Sequence, residues 1–244
     1  MGARILEIAK SIIDWVRHQL DITFVVDNRY KLFVEGFFNT LTIALGAAVL
    51  GVIIGSAVAM VRVYRAQTGR LRVPDAICGG YLALFRGTPI VVQLLIMYYI
   101  IFKSVDNALL VAVLSFGINS GAYVAEIVRA GIMSVDPGQT EAGRSLGLPA
   151  WRTLFFIVMP QAVKNILPAL GNEFVTLLKE TSVAGYITLR DLARAGENVR
   201  SKTLEPYFSL LFVALVYFVL VFGVSKLLKF AERRFAKSDR DNRG

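Results

Sequence analysis

Long uncharged runs punctuate this chain, and their lengths set its architecture. Phe37 to Val61, Asn107 to Ala125 and Pro206 to Ser225 each lack a charged residue. Gly87 to Phe102 is a shorter run that extends back toward Asp75, with Arg86 inside the extension. A helix needs about 20 mostly apolar residues to cross roughly 30 Å of hydrocarbon. A further stretch, residues 161–183, has the same apolar background but is interrupted by Glu173, Lys179 and Glu180. One such run fits a buried soluble helix, but several in 244 residues do not. The pattern predicts an all-α, polytopic membrane protein with about five transmembrane helices, over residues 37–61, 76–102, 108–127, 161–183 and 207–228.

The interruptions carry information of their own. Arg86-Gly87-Thr88-Pro89 reads as a break or a helix start, since proline is tolerated in a first helical turn. Arg86 belongs at the cytoplasmic interface or in a polar crevice, because charge is expensive against lipid. Lys103 to Asn107 is a short turn, so the second and third spans are expected to be antiparallel neighbours. Gly51 and Gly55, with Ser56 beside them, allow close approach of a neighbouring helix. Glu173, Lys179 and Glu180 must face protein, water or each other.

Composition agrees with the pattern: 55% of residues are apolar and 18% charged, against about a quarter charged in soluble domains. The net charge of +9 would suggest nucleic-acid binding in a soluble protein. Here the basic residues flank apolar spans, where membrane orientation explains them, and no nucleic-acid partner is expected. Arg62, Arg65, Arg70 and Arg72 mark a cytoplasmic loop. Lys226, Lys229, Arg233, Arg234, Lys237, Arg240 and Arg243 mark a cytoplasmic C-terminus. Five spans then put the N-terminus outside, although Arg190, Arg194, Arg200 and Lys202 in the external segment 184–205 weigh against that count.

The chain divides into an N-terminal amphipathic or peripheral segment (1–35), a transmembrane unit (36–230) with a cytoplasmic loop at 134–160, and a basic tail (231–244). Ile5, Ile8, Ile12, Trp15 and Val16 follow helical spacing, which fits an interfacial helix or a solvated helix packed on the protein. No cleavable signal is apparent in it. Cys78 and His18, each the only residue of its type, supply neither an intramolecular disulfide nor a usual zinc site.

The most informative stretch is Asp136 to Pro149. Asp136 can cap a helix, Pro137 suits its first position, Gln139 can complete a capping box, and Gly147 can cap the C-terminus. The result is a helix of about ten residues, too short to span, on the cytoplasmic side. It is suited to pass motion from a soluble partner, or it is a plain interfacial linker.

Glu141-Ala142-Gly143, then Gly147 after three residues, then Ile157-Val158-Met159-Pro160 after nine more, form a composite pattern. It resembles the EAA loop of the permease subunits of bacterial ABC importers, specifically the polar amino acid family that takes up histidine, glutamine or arginine. Gly143 stands where that family usually has alanine, and Met159 where it has leucine. Phe85-Arg86-Gly87-Thr88-Pro89, Ile118 to Tyr123 with Glu126 and Arg129, Leu167 to Glu173, and Leu178 to Ser182 extend the resemblance over most of the chain from Gly36 onward.

That resemblance implies two permease subunits, alike or different, two separate ABC ATPase subunits, and an extracytoplasmic binding protein that delivers a polar amino acid. It places the chain in the bacterial plasma (inner) membrane. The chain has no Gly-rich loop ending in Gly-Lys-Ser/Thr, so it is not expected to hydrolyse ATP. ATP and Mg would be held by the partner ATPase, and no cofactor or metal by this chain. The resemblance assigns ATPase coupling to Glu141, Ala142, Gly143, Arg144, Gly147 and Pro160. Asn172 and Glu173 are candidates for the substrate pathway, and the carboxylate points toward a basic or broad polar amino acid. Arg86, Asn119, Lys179 and Glu180 are candidates for helix packing or gating. An ion-gradient-driven transporter or channel is the competing class, and a membrane scaffold a third. A membrane enzyme finds no nucleophile or metal cluster to support it.

Overall fold

The computed structural model describes residues 2–241, with side chains described for Arg4 and for residues 6–232. The expectations for Ile5, for the side chains of Arg233, Arg234, Lys237 and Arg240, and for Arg243 therefore lie outside what is described. Among the described residues the chain is all helical. The helices are α1 (Gly2–Leu20), α2 (Tyr30–Thr68), α3 (Arg72–Gly87), α4 (Ile90–Ile96), α5 (Ala108–Met133), α6 (Pro137–Ser145), α7 (Ala150–Thr153), α8 (Met159–Glu180), α9 (Leu192–Thr203) and α10 (Pro206–Asp241).

Among the described residues four helical stretches are long and apolar enough to cross a membrane: α2, α5, Ala150–Ile187 through α7 and α8, and Pro206–Glu232 of α10. The second expected span is not one rod. Arg72–Gly87 and Ile90–Ile101 meet at 111°, forming a broken span or a re-entrant loop. Pro89 explains the break: it has no N–H to return to Phe85 and pushes Thr88 into an extended conformation (φ −125°, ψ 149°). The fourth span also starts earlier than its hydropathy suggests. A π-turn at Leu154–Val158 absorbs Pro160 at the start of α8, so the helical path runs on from Ala150 instead of beginning near residue 161.

Helices α2 and α5 form the centre, and they run parallel. Gly46 lies against Val113, Gly51 against Ser120 and Gly121, and Gly55 against Val124 and the Ala125 backbone. A Cβ on Gly55 would stand 2.6 Å from Val124 and 2.8 Å from the Ala125 nitrogen. The two backbones therefore cross where neither helix has bulk to spare, as close packing in lipid requires. Two apolar clusters fill the ends. Ile43, Leu94, Phe116, Leu177 and Ile187 pack in one, and Val63, Val128, Leu154, Val158 and Ile166 in the other.

Candidate functional site

Helix α6 stands apart from the spans and is closed at both ends by its own sequence. The Asp136 carboxylate accepts a hydrogen bond from the Gly138 N–H at 2.8 Å. At the other end Gly147 takes φ +82°. Its N–H donates to the Arg144 carbonyl (3.0 Å), while the Leu148 N–H reaches back to the Gly143 carbonyl (3.2 Å). This paired 5→2 and 6→1 closure needs a left-handed residue after the helix, the reason a glycine sits there. The expected capping box does not form: the Gln139 side chain instead accepts from Gln161 at 3.3 Å, tying α6 to α8.

One face of α6 is spent on the protein and the other is free. Gly143 is buried, and a Cβ there would lie 2.8 Å from both Ile157 and Thr153. Glycine in place of the family's alanine thus matches the tight seat given by these two side chains. Glu141, Ala142 and Arg144 are exposed, as is Leu146 at 81%. Among the described residues the Glu141 side chain has no hydrogen-bond or ion-pair partner, whereas Arg144 donates to the Leu148 carbonyl at 3.4 Å. Arg152 lies over the Trp151 ring at 5.2 Å. Pro160 sits within the first turn of α8 and is exposed. A cavity of about 690 Å³ opens beside α6, with Arg62, Arg65, Asp75, Arg129 and Glu141 in its lining.

The break in the second span is repaired by amides. Proline at 89 leaves the Phe85 carbonyl without its helical donor, and at membrane depth such a group costs several kcal/mol unless satisfied. Gln93 Nε2 donates to it at 2.9 Å and Asn119 Nδ2 at 3.3 Å. Gln93 also donates to the Thr88 carbonyl at 2.9 Å and accepts from Asn119 at 2.8 Å. Both side chains are buried. Asn119 thus bonds α5 to both halves of the broken span, and Gln93 is a partner that sequence reasoning missed. Its signal was present: a glutamine four residues after a proline, inside an otherwise apolar run.

The charged and polar residues of the fourth span separate into two faces. Glu173 turns inward and accepts from the buried Ser120 hydroxyl at 2.9 Å, an interhelical bond between α8 and α5. An ion pair with Lys179, six residues on, is not formed. Asn165, Asn172, Thr176 and Lys179 fall on the outward face of α8 and are exposed, while Glu180 is half-buried. Arg86 lies 3.9 Å from Glu126 and over the Tyr123 ring at 5.8 Å. Glu126 also pairs with Arg129, and Arg62 with Asp75 at 3.4 Å. Arg86 of the broken span and Asn119 of α5 thus both make their contacts where α3 meets α5, whereas Asn172 and Glu173 fall on different faces of α8. Among the described residues no group of histidine, cysteine and carboxylate side chains could hold a metal ion.

An all-α bundle with a broken span, an exposed polar stripe on a membrane helix and an independently capped loop helix fits a membrane transport component. The comparisons make the class specific. Residues 51–237 match the family model described as "Binding-protein-dependent transport system inner membrane component". GlnP of Rickettsia typhi, a permease named for glutamine transport, is 36% identical over 204 residues, covering 82% of this chain and 91% of that one. The arginine transport system permease protein ArtQ of Bacillus subtilis is 35% identical over 209 residues, covering 84% and 93%. A solved structure, "Crystal structure of an amino acid ABC transporter with histidines", superposes with a TM-score of 0.77 at 39% identity, over 86% of this chain and 98% of that one. The chain belongs to this family, as a permease subunit of the bacterial polar amino acid ABC importers. It is a non-catalytic, multi-pass component of the inner membrane.

Proposed function

We propose that this subunit forms the translocation pathway for a polar amino acid and draws its energy from a separate ATPase docked on α6. The observation that carries the reading is the division of α6: Gly143 is buried against its own chain while Glu141, Ala142 and Arg144 are presented outward. A rigid, self-capped helix with a free face can be pushed as a unit. Its seat on Thr153 and Ile157 would pass that movement into the fourth span, and ATP with Mg would be bound and consumed in the partner.

The pathway reading rests on α8. Asn165, Asn172, Thr176 and Lys179 form a polar stripe that cannot face lipid cheaply. A second permease subunit, the same or homologous, would cover it and enclose a polar route. Asn172 on the stripe and Glu173 just behind it are the substrate-pathway residues. A glutamate at that depth suits a basic or broad polar amino acid, in keeping with relatives named for glutamine and arginine and a solved relative containing histidines. An extracytoplasmic binding protein would deliver the solute. The N-terminus lies outside and the C-terminus in the cytoplasm, with Arg62, Arg65, Arg70 and Arg72 inside. Of the basic residues left outside, Arg190 and Arg200 are paired with Glu35 and Glu197.

Mild-detergent purification of the tagged subunit from its native membrane, with mass spectrometry of bound proteins, tests the proposal. A stoichiometric ATPase that is lost in the Glu141→Lys variant is the expected result. Folded permease that repeatedly retains no ATPase, under conditions that preserve a known ABC complex, would favour the gradient-driven class.

A further inference from the structure

Helix α1 takes no part in the proposed pathway, yet its sequence is sharply sorted. At about 100° per residue, Leu6, Ile8, Ile12, Ile13 and Trp15 fall on one half of the helix, and Arg4, Glu7, Lys10, Asp14 and Arg17 on the other. The apolar half is bare in the folded subunit: Leu6 is 62% exposed, Ile12 56% and Ile13 63%. An uncovered face of this kind needs an occupant.

The root of α1 says what that occupant is. Asp27 and Asn28 take φ +54° and +52°, turning the chain between α1 and α2. Just before the turn, Phe24 packs with Phe33 and Phe212, at ring separations of 5.5 and 4.8 Å, which joins it to α2 and α10. Trp15 meets Phe208, in the first turn of α10, edge-on at 5.5 Å. Helix α10 is the least covered span, and Tyr207, Leu211, Leu215 and Phe218 form an exposed apolar belt along it. The bare half of α1 is thus continuous, through Trp15 and Phe208, with a lipid-facing surface. Trp15 stands where the helix meets the end of a span, the level at which tryptophan collects in membranes. The polar half mixes Arg4, Lys10 and Arg17 with Glu7 and Asp14, so it offers no one-signed surface to a charged partner.

We infer that α1 is an interfacial helix, lying in the outer leaflet with Leu6, Ile8, Ile12 and Ile13 toward the acyl chains and Glu7, Lys10 and Asp14 toward water. Its assignment to the outer leaflet rests on the orientation proposed above; its contact with lipid does not. At about 1.5 Å per residue it covers roughly 28 Å along the membrane plane. It binds through apolar area, so zwitterionic lipid suffices, and it holds the Phe24–Phe33–Phe212 cluster at the membrane surface.

The test uses the full chain, as purified with its associated subunits, in phosphatidylcholine nanodiscs. Single cysteines replace Leu6, Ile13, Lys10 or Asp14 in a Cys78→Ser background and carry an environment-sensitive fluorophore. Labels at 6 and 13 should emit at shorter wavelength and be quenched more by a nitroxide near the headgroup than by one at the chain end. Labels at 10 and 14 should emit as in water and stay unquenched. Water-like emission from both halves would overturn the inference. So would shielding at 6 and 13 without nitroxide quenching, the mark of a protein partner. A membrane-impermeant thiol reagent on intact spheroplasts reads the side separately. It should react with the cysteine at position 10 from outside; reaction only after lysis would overturn the outer-leaflet assignment and the proposed orientation, leaving lipid contact to stand on the quenching.

Discussion

Helices α5 and α10 are both long membrane spans, but 61% of the most apolar stretch of α5 is buried inside the subunit and only 11% of that of α10. The ordering by mean hydropathy is the reverse: α10 is the more apolar of the two. In water the more apolar helix would be the buried one. In a bilayer the acyl chains are as apolar as leucine, so apolarity alone gives no reason to leave them. Small and weakly polar residues decide instead, and Ser115, Gly117, Asn119, Ser120 and Gly121 give α5 both close contacts and hydrogen bonds. Helix α10 offers few of these and keeps its large side chains outside.

That contrast is broken most severely at the α2–α5 crossing. Gly55→Leu forces a side chain into Val124 and the α5 backbone, and should abolish recovery of folded permease in size-exclusion chromatography of the detergent extract. Gly223→Leu in α10, where a Cβ meets nothing within 4 Å, should leave recovery near wild type. Equal recovery of both variants would mean that the crossing is not the core of the fold.

A smaller effect is expected at the amide repair. Gln93→Leu keeps apolar volume but withdraws the donor shared by the Phe85 and Thr88 carbonyls. The loss should be about 1–3 kcal/mol, read as a lower midpoint in thermal denaturation. Phe218→Leu, on the exposed side of α10, should shift it little. A Gln93→Leu midpoint equal to wild type would show that the break needs no side-chain donor.

A pH-dependent effect is expected where Asp191 caps α9 by accepting from the Ala193 and Arg194 N–H groups at 3.0 and 3.1 Å. Burial pushes its carboxyl up from 3.8 to about 6, against the pull of those N–H donors. The folded chain therefore binds this proton more tightly than the unfolded chain between these values, and the associated stability is present in acid and is lost as pH rises through about 6. Asp191→Asn should flatten that part of the denaturation profile. The same slope between pH 4 and 6 in wild type and variant would remove the assignment.

Much of this was legible along the chain because the signals are local. Asp136, Pro137 and Gly147 mark α6 within a residue or two, and Pro89 marks the break. What is not local was hidden. The angle at Pro89 depends on Gln93 and Asn119, which come from different helices. The start of the fourth span depends on a π-turn that hydropathy does not register. Glu173 looked inward to Ser120 because α5 lies beside it, while its neighbour Asn172 looks out; adjacent residues of one helix have no common destination. Gln139 was claimed by Gln161 before it could complete its own cap.

ATP-driven uptake is the most direct test of the central claim, that α6 couples the spans to a separate ATPase. The importer complex, reconstituted in proteoliposomes with its binding protein, is assayed for uptake of labelled arginine, glutamine and histidine, with wild-type chain and with Gly147→Val. Valine strains the left-handed residue that closes α6. Uptake should require ATP and fall at least tenfold in the variant, although the variant permease still folds. Uptake driven by an ion gradient without ATP, or ATP-driven uptake indifferent to the variant, would contradict that claim.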